Sequence, residues 1–146
     1  MRGRMKIYIA ASWKHEHAVE LLTRELERMG HKVVSFVRVA GRVPTGFDLT
    51  PKLDEWIASA DGARKFAFDL KGATESDVVI YLGPSGADAW AEIGAAWAAK
   101  RTILALTAKG ETIGLCRRMV TAWAPTIDIL LEYVAAADRD RMKGQE

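Results

Sequence analysis

Cysteine is nearly absent: Cys116 is the single thiol of the chain. That excludes an internal disulfide framework and any zinc site built on several thiolates, and it fits a reducing compartment. A surplus of charge is missing too. The 21 Lys and Arg against 19 Asp and Glu leave a formal +2, too little for the basic footprint of a protein that binds nucleic acid or an acidic membrane. No stretch approaches the roughly 18 apolar residues of a membrane span, and the apolar run after the opening MRGRMK is too short for the core of a secretion signal. No internal repeat and no low-complexity tract breaks the chain. What remains is a 146-residue sequence, the size of one domain. A domain of that length buries about two thirds of its unfolded surface and folds without a metal or disulfide staple. A single, unexported, cytoplasmic domain is the expectation.

Periodicity reads as strands alternating with helices. Residues 5–11 (MKIYIAA) form a short apolar run of the kind buried on both faces of a parallel sheet. Ser12 can cap a helix from about 13 to 29, with Ala18, Leu21, Leu22, Leu26 and Met29 at helical spacing and Gly30 to end it. Residues 32–39 (KVVSFVRV) read as a second strand, and 41–51, with its Gly and Pro, as a loop long enough to be functional. A helix over about 52–71 follows, which Ser59-Ala60-Asp61-Gly62 can kink or split because glycine disfavours a helix interior. A third strand, 77–82 (DVVIYL), runs into Gly83-Pro84-Ser85-Gly86 and at once into a helix over 87–100. A fourth strand (102–106), a polar loop around Lys109-Gly110-Glu111, a short fifth strand (119–123) and a helix from Pro125 to about 137 complete the order. Residues 138–146 read as a charged, frayed tail. Such βα units with right-handed crossovers predict an α/β, three-layer, flavodoxin-like (Rossmann-like) doubly wound parallel sheet of five strands in the order 2-1-3-4-5.

In such sheets ligands bind outside the carboxyl ends of the strands where the order reverses, here after strands one and three. Ser12, Trp13, Gly83, Ser85, Gly86 and Asp88 are therefore the candidate substrate-binding residues. A Gly-x-x-Gly turn at a helix start lets backbone N–H groups approach an anion or a sugar hydroxyl. The plainer reading, a tight turn that needs small residues, stands beside it. The turn is neither a P-loop, since no Lys-Ser/Thr follows Gly86, nor the dinucleotide spacing G-x-G-x-x-G. On the next helix Trp90, Ile93 and Trp97 mark an apolar stripe, while Glu92 shares its face with Asp88 and with Ala95, Ala96 and Ala99. Glu92 thus lies in the second turn beside the crevice with an acid below it and alanines above. His15 and His17 bracket Glu16, but i,i+2 spacing points them apart, and neither a metal nor another cofactor is expected. Cys116 reads as buried filler.

These residues carry a family resemblance. The segments Ile7-Tyr8-Ile9-Ala10-Ala11-Ser12-Trp13, Phe68-Asp69-Leu70-Lys71-Gly72, Ser76-Asp77-Val78-Val79 and Ala91-Glu92-Ile93-Gly94-Ala95-Ala96 resemble, in order, the nucleoside 2-deoxyribosyltransferase family. The resemblance spans about residues 5–106. It implies cleavage of the N-glycosidic bond of a 2′-deoxynucleoside or its 5′-monophosphate, with transfer of the sugar to another base or to water. Within it Glu92 resembles the nucleophile that captures C1′, Tyr8 the hydroxyl that positions that carboxylate, and Asp69 the acid that protonates the departing base. Trp13 would wall the base pocket. A related branch hydrolyses deoxynucleoside monophosphates with a serine-rich phosphate pocket, a part Ser12, Ser85 and Gly86 could take with Arg42 or Lys14.

The chemistry asks for two acids in different surroundings, a carboxylate that attacks and a carboxyl that yields a proton. Asp69 near the end of its helix would be held protonated by burial and the helix dipole. Taken alone, Asp69 also reads as a solvated aspartate and Tyr8 as core. Two other readings stay open. Asp88-Ala89-Trp90-Ala91-Glu92 faintly resembles the glutamate segment of TIR-like NAD glycohydrolases, at a spacing off by two, and a non-catalytic nucleotide-binding module would keep the glutamate idle. The expected partner is a small nucleoside or nucleotide, with no nucleic acid and no membrane. Five Trp and the Trp90, Ile93, Trp97 stripe further suggest a homodimer or higher homo-oligomer.

Overall fold

In the computed structural model, residues 4–36, 51–111 and 114–144 are described. Five parallel strands form one sheet in the order β2-β1-β3-β4-β5, as expected. They are β1 (Lys6–Ala11), β2 (Lys32–Val34), β3 (Val78–Leu82), β4 (Thr102–Leu106) and β5 (Ala122–Ala124). The helices are α1 (Glu16–Arg28), α2 (Pro51–Ile57), α3 (Ala60–Glu75), α4 (Ala87–Ala98) and α5 (Ile127–Lys143). No helix among the described residues is long and apolar enough to cross a membrane.

Every residue of β3 is buried, because a strand covered on both faces has no use for alternation. Its two faces feed two separate cores. Ile7 and Ile9 of β1 with Val78, Ile80 and Leu82 of β3 meet Val19, Leu22 and Leu26 of α1 and Leu130 and Val134 of α5. On the other side Tyr8 and Ala10 with Val79 and Tyr81 meet Ala73 of α3 and Ala89, Ile93 and Ala96 of α4. The register aligns Tyr8 with Val79 and Ala10 with Tyr81, then Tyr81 with Ala105 and Ala105 with Trp123. One row across this second face is therefore Ala10, Tyr81, Ala105 and Trp123. The alanines on either side leave the large Tyr81 ring room.

Several boundaries differ from the sequence reading. Ser12 caps a 3₁₀ turn, Trp13–His15, and α1 starts only at Glu16; Gly30, at φ +94°, follows its end. The expected 52–71 helix is two helices. Ser59 accepts from Gly62 N–H at 3.1 Å and caps α3, and a Cβ on Gly62 would lie 2.4 Å from the Trp56 carbonyl oxygen, so the second helix can start against the end of the first only at a glycine. Residues 115–119 form a 3₁₀ turn, and the fifth strand lies later than expected, at Ala122–Ala124. There Thr121 N–H donates to the Ile103 carbonyl at 2.7 Å and Thr107 N–H to the Ala124 carbonyl at 2.8 Å. The last helix starts at Ile127 and not at Pro125, with Thr126 capping it by accepting from Ile129 N–H at 3.2 Å. That helix runs past 137, through the residues expected as a frayed tail, to Lys143. Asp138 and Arg141, both partly buried, pair at 3.3 Å within this last stretch. The second strand ends at Val34, short of the expected 39; its expected residues 37–39, residues 41–50 of the expected 41–51 loop and Arg42 lie outside the described residues, and Pro51 begins α2.

Candidate functional site

The site is assembled on the α3/α4 face of the sheet, and its floor is Tyr8. A fully buried tyrosine in a central strand must find partners for its hydroxyl. It finds two carboxyl groups. The Tyr8 hydroxyl lies 3.2 Å from Asp69 Oδ1 and in shorter contact with Glu92 Oε1.

Each carboxyl is delivered by a local feature of its helix. On α3, a Cβ at Gly72 would stand 2.3 Å from Tyr8 Cδ1. Only glycine there lets the helix lie directly on the tyrosine ring, and Asp69, three residues earlier on the same face, is thereby brought to the hydroxyl. On α4, Ala89, Ile93 and Ala96 are buried against the sheet. With small residues on either side of Ile93 the helix sits close, and Glu92, beside Ile93, reaches Tyr8. Asp88, one turn before Glu92, is exposed at the rim.

The electrostatics follow from this crowding. Burial is the main influence that lifts the Glu92 carboxyl, which is pushed up to about 8, with Asp69 and Asp88 adding to the rise and the Tyr8 hydrogen bond opposing it. Asp69 is raised as well, first by burial and then by Asp88, again against the Tyr8 hydrogen bond. The helix dipole is not the cause, because Asp69 lies in the middle of α3 (Ala60–Glu75) and not at its end. Burial and the two carboxylates push the Tyr8 hydroxyl far up, so it stays protonated. A phenol has one proton and can serve one carboxylate at a time. The second contact is a good hydrogen bond only when the other carboxyl carries a proton of its own. Geometry and electrostatics therefore agree on a three-oxygen cluster that retains a proton near neutrality, the arrangement of a coupled acid pair.

Of the other candidate residues, the structure joins four into the β3–α4 turn and its support. Ser85 is 5 % exposed; its hydroxyl donates to the Leu82 carbonyl at 2.7 Å and accepts from Ser12 N–H at 2.9 Å. That side chain is engaged in tying the ends of β1 and β3 together. Gly83 fits a close approach, since a Cβ there would lie 2.7 Å from Cε1 of the buried Tyr81 ring and 1.8 Å from Glu111 Oε2. Gly86 is the N-cap of α4, makes no side-chain cap bond, and has open space where a side chain would be. Trp13 stacks edge-on against Phe36 with centroids 4.6 Å apart and packs on the α1/α5 core, the opposite side of the sheet from Tyr8. His15 Nε2 lies 2.6 Å from the Pro84 carbonyl oxygen, a further tie on the same turn.

Two residues that the sequence reading did not single out complete this end of the sheet. The Tyr81 hydroxyl donates to Glu111 Oε1 at 2.7 Å and accepts from Ser85 N–H at 2.9 Å. Burial, reinforced by Glu111, keeps the Tyr81 hydroxyl protonated. The available signal was Tyr81 itself, two residues before a glycine at the switch point; nothing in the loop around Glu111 marks its carboxylate as the partner.

No family model matches the sequence, and no curated protein matches it. Solved structures do. A 2-deoxyribosyltransferase from Bacillus psychrosaccharolyticus superposes with a TM-score of 0.61 at 20% identity over 86% of this chain and 89% of that one. The CMP N-glycosidase BcmB of Clostridium botulinum gives a TM-score of 0.53 at 18% identity over 89% and 98%. A conserved protein from Enterococcus faecalis V583 gives 0.64 at 14% identity over 94% and 99%. At these identities the likeness establishes the fold, so the resemblance to the nucleoside 2-deoxyribosyltransferases read from the motifs holds at the level of structure.

Proposed function

We propose that this protein cleaves the N-glycosidic bond of 2′-deoxynucleosides or their 5′-monophosphates through a deoxyribosyl ester on Glu92. The observation that carries the reading is the pair of carboxyls, Glu92 and Asp69, sharing the single hydroxyl of Tyr8. Two acids held on one hydroxyl stand closer than the roughly 6.5–9.5 Å that an inverting glycosidase leaves for its water, which favours a retaining route. Support also comes from the folds of the two glycosyl-bond enzymes above.

One proton on the pair has two placements, and the productive one is Asp69 protonated with Glu92 ionised. Tyr8 then donates to the Glu92 carboxylate and aims it. A Glu92 oxygen forms a bond to C1′ while the C1′–N bond breaks; the base leaves with the electron pair and takes the Asp69 proton. In the second half a base or water attacks C1′ from the vacated side, the ester bond returns its electrons to Glu92, and Asp69 recovers a proton from the acceptor. Asp88, exposed at the rim, would meet a sugar hydroxyl.

The test is release of free base from a panel of deoxynucleosides and their monophosphates, with and without an acceptor base to separate transfer from hydrolysis. Glu92→Ala should abolish both. A 2-fluoro-substituted deoxynucleoside, which destabilises the oxocarbenium-like transition state, should leave a trapped adduct in the peptide spanning 87–100. An adduct elsewhere, or an active Glu92→Ala, refutes the assignment. NAD cleavage without deoxynucleoside cleavage would point to the TIR-like alternative.

A further inference from the structure

Helix α4 carries Glu92 and Asp88, yet its first turn is not held by its own cap: Gly86 contributes no side-chain bond. Helices commonly satisfy that end with a Ser, Thr, Asp or Asn side chain. Here the entry of the helix is held from outside. Tyr81 is the hub, with its hydroxyl between Glu111 Oε1 at 2.7 Å and Ser85 N–H at 2.9 Å. Its ring lies 4.5 Å, centroid to centroid, from Trp90 of α4. The side of the Glu111 carboxylate fills the space a Cβ on Gly83 would take, so the loop after β4 is seated on the turn that launches α4. Tyr81 is 0 % exposed, and neither its hydroxyl nor its ring can shift alone.

We propose that Glu111 is a positioning residue for Glu92, acting through the Tyr81 hydroxyl on the β3–α4 turn and through the Tyr81 ring on Trp90. Glu111 touches neither Tyr8 nor the sugar in this scheme. It fixes the placement of the first two turns of α4, and hence the distance at which Glu92 meets C1′. The inference rests on the reading of Glu92 as the nucleophile. Displacement of a reacting group by about 1 Å costs on the order of 100-fold in rate, so the signature is in kcat.

The experiment compares Glu111→Gln, Glu111→Ala, Tyr81→Phe and the Glu111→Ala/Tyr81→Phe pair, with Glu92→Ala as control, in base release from a deoxynucleoside that the wild type turns over. Rates are expressed per folded molecule by circular dichroism. Glu111→Ala and Tyr81→Phe should each lower kcat by about 10- to 100-fold with KM within about threefold. The double variant should be no worse than the poorer single one, because both remove the same link. Glu111→Gln should stay within about threefold of wild type, since its amide oxygen still accepts the Tyr81 proton. A purely structural role would lower stability and leave kcat per folded molecule alone. Wild-type kcat in Glu111→Ala, multiplying losses in the double variant, a loss in Glu111→Gln equal to that in Glu111→Ala, or a change confined to KM each overturns the proposal. If Glu111→Ala does not fold, Tyr81→Phe decides, and wild-type kcat in that variant is enough to refute it. An active Glu92→Ala instead removes the nucleophile reading and this inference with it, whereas an inactive Glu92→Ala beside a fully active Tyr81→Phe removes the inference alone.

Discussion

Glu92 costs the fold something for its position. A carboxyl lifted to about 8 binds its proton more tightly in the folded chain than in the unfolded one, where glutamate titrates near 4.3. Below that lower value both states are protonated and the group is neutral for stability. As pH rises from there towards 8 the unfolded state loses its proton first, so stability falls across that window. Glu92→Gln keeps the shape and removes the titration. The variant should therefore be more stable than wild type at pH 8, by up to about 5 kcal/mol, with the gain shrinking towards zero at pH 4. Urea unfolding at a series of pH values reads this directly, and a pH-independent difference would show that Glu92 is not the buried, proton-retaining group described here. Loss of activity accompanied by gain of stability is what a functional rather than a structural carboxyl should show. At this scale the site was partly legible in the sequence. Tyr8, Asp69 and Glu92 were legible because each stands in a motif, and the fold then brings them onto one another. The side of the sheet that Trp13 takes was not legible: a large aromatic after a strand has two faces to choose from, and its packing on Phe36 is decided by tertiary contact. Ser85 and Gly83 lie in the turn between β3 and α4, where Ser85 also bonds Leu82 and Ser12 and Gly83 leaves room beside Glu111.

Among the elements, α3 shows most clearly how backbone geometry sets chemistry. Gly72 sits three residues after Asp69, in a helix whose interior would ordinarily prefer alanine by up to about 1 kcal/mol. The preference is overridden by contact, because an added Cβ would meet Tyr8 Cδ1 at 2.3 Å and Cε1 at 2.6 Å. Those atoms belong to a ring buried in a central strand and have nowhere to go. Gly72→Ala should accordingly destabilise the protein by about 1–3 kcal/mol, as overpacked cores do, and should also depress kcat by lifting Asp69 away from the Tyr8 hydroxyl. Chemical unfolding together with base-release kinetics checks both; an alanine variant as stable and as fast as wild type would mean that the helix does not lie on the ring. The strands were legible from short apolar runs, and the break between α2 and α3 from Ser59 and Gly62. The fifth strand and the end of α5 were not. Residues 115–124 carry no clean period, so a 3₁₀ turn and an edge strand compete for them. The charged stretch after 137 reads as solvated, whereas in the structure Asp138 and Arg141 are partly buried and pair with each other one turn apart on the helix.

At the scale of the molecule, what the chain leaves uncovered bears on how it assembles. The Trp90, Ile93, Trp97 stripe of α4 does not enter one core: Ile93 is fully buried and Trp90 is packed against the α3/α4 core, while Trp97 is 59 % exposed. Ala96, next to Trp97, is still buried against the sheet, so Trp97 is exposed because its side chain lies on the outer side of α4. Leu115, in the 3₁₀ turn that packs against the same helix, is 86 % exposed. Single exposed apolar residues are common on monomers, but an indole and a leucine presented by two contacting elements form the kind of surface that a second copy covers. Homo-oligomers most often close as two-fold dimers, so a homodimer of the 16.1 kDa chain is proposed, with Trp97 at or near its interface. Light scattering at micromolar concentration should return twice the chain mass for the wild type. Trp97→Lys should shift the mass to that of one chain while leaving the far-ultraviolet circular dichroism unchanged, because a 59 % exposed side chain contributes little to the subunit's own core. A monomeric wild type would leave this apolar surface facing solvent and refute the dimer. A dimeric Trp97→Lys would move the interface elsewhere, to the α3 surface where Phe66 is 68 % and Leu70 is 42 % exposed, and paired charge substitutions at those two positions would then be the variants that dissociate it.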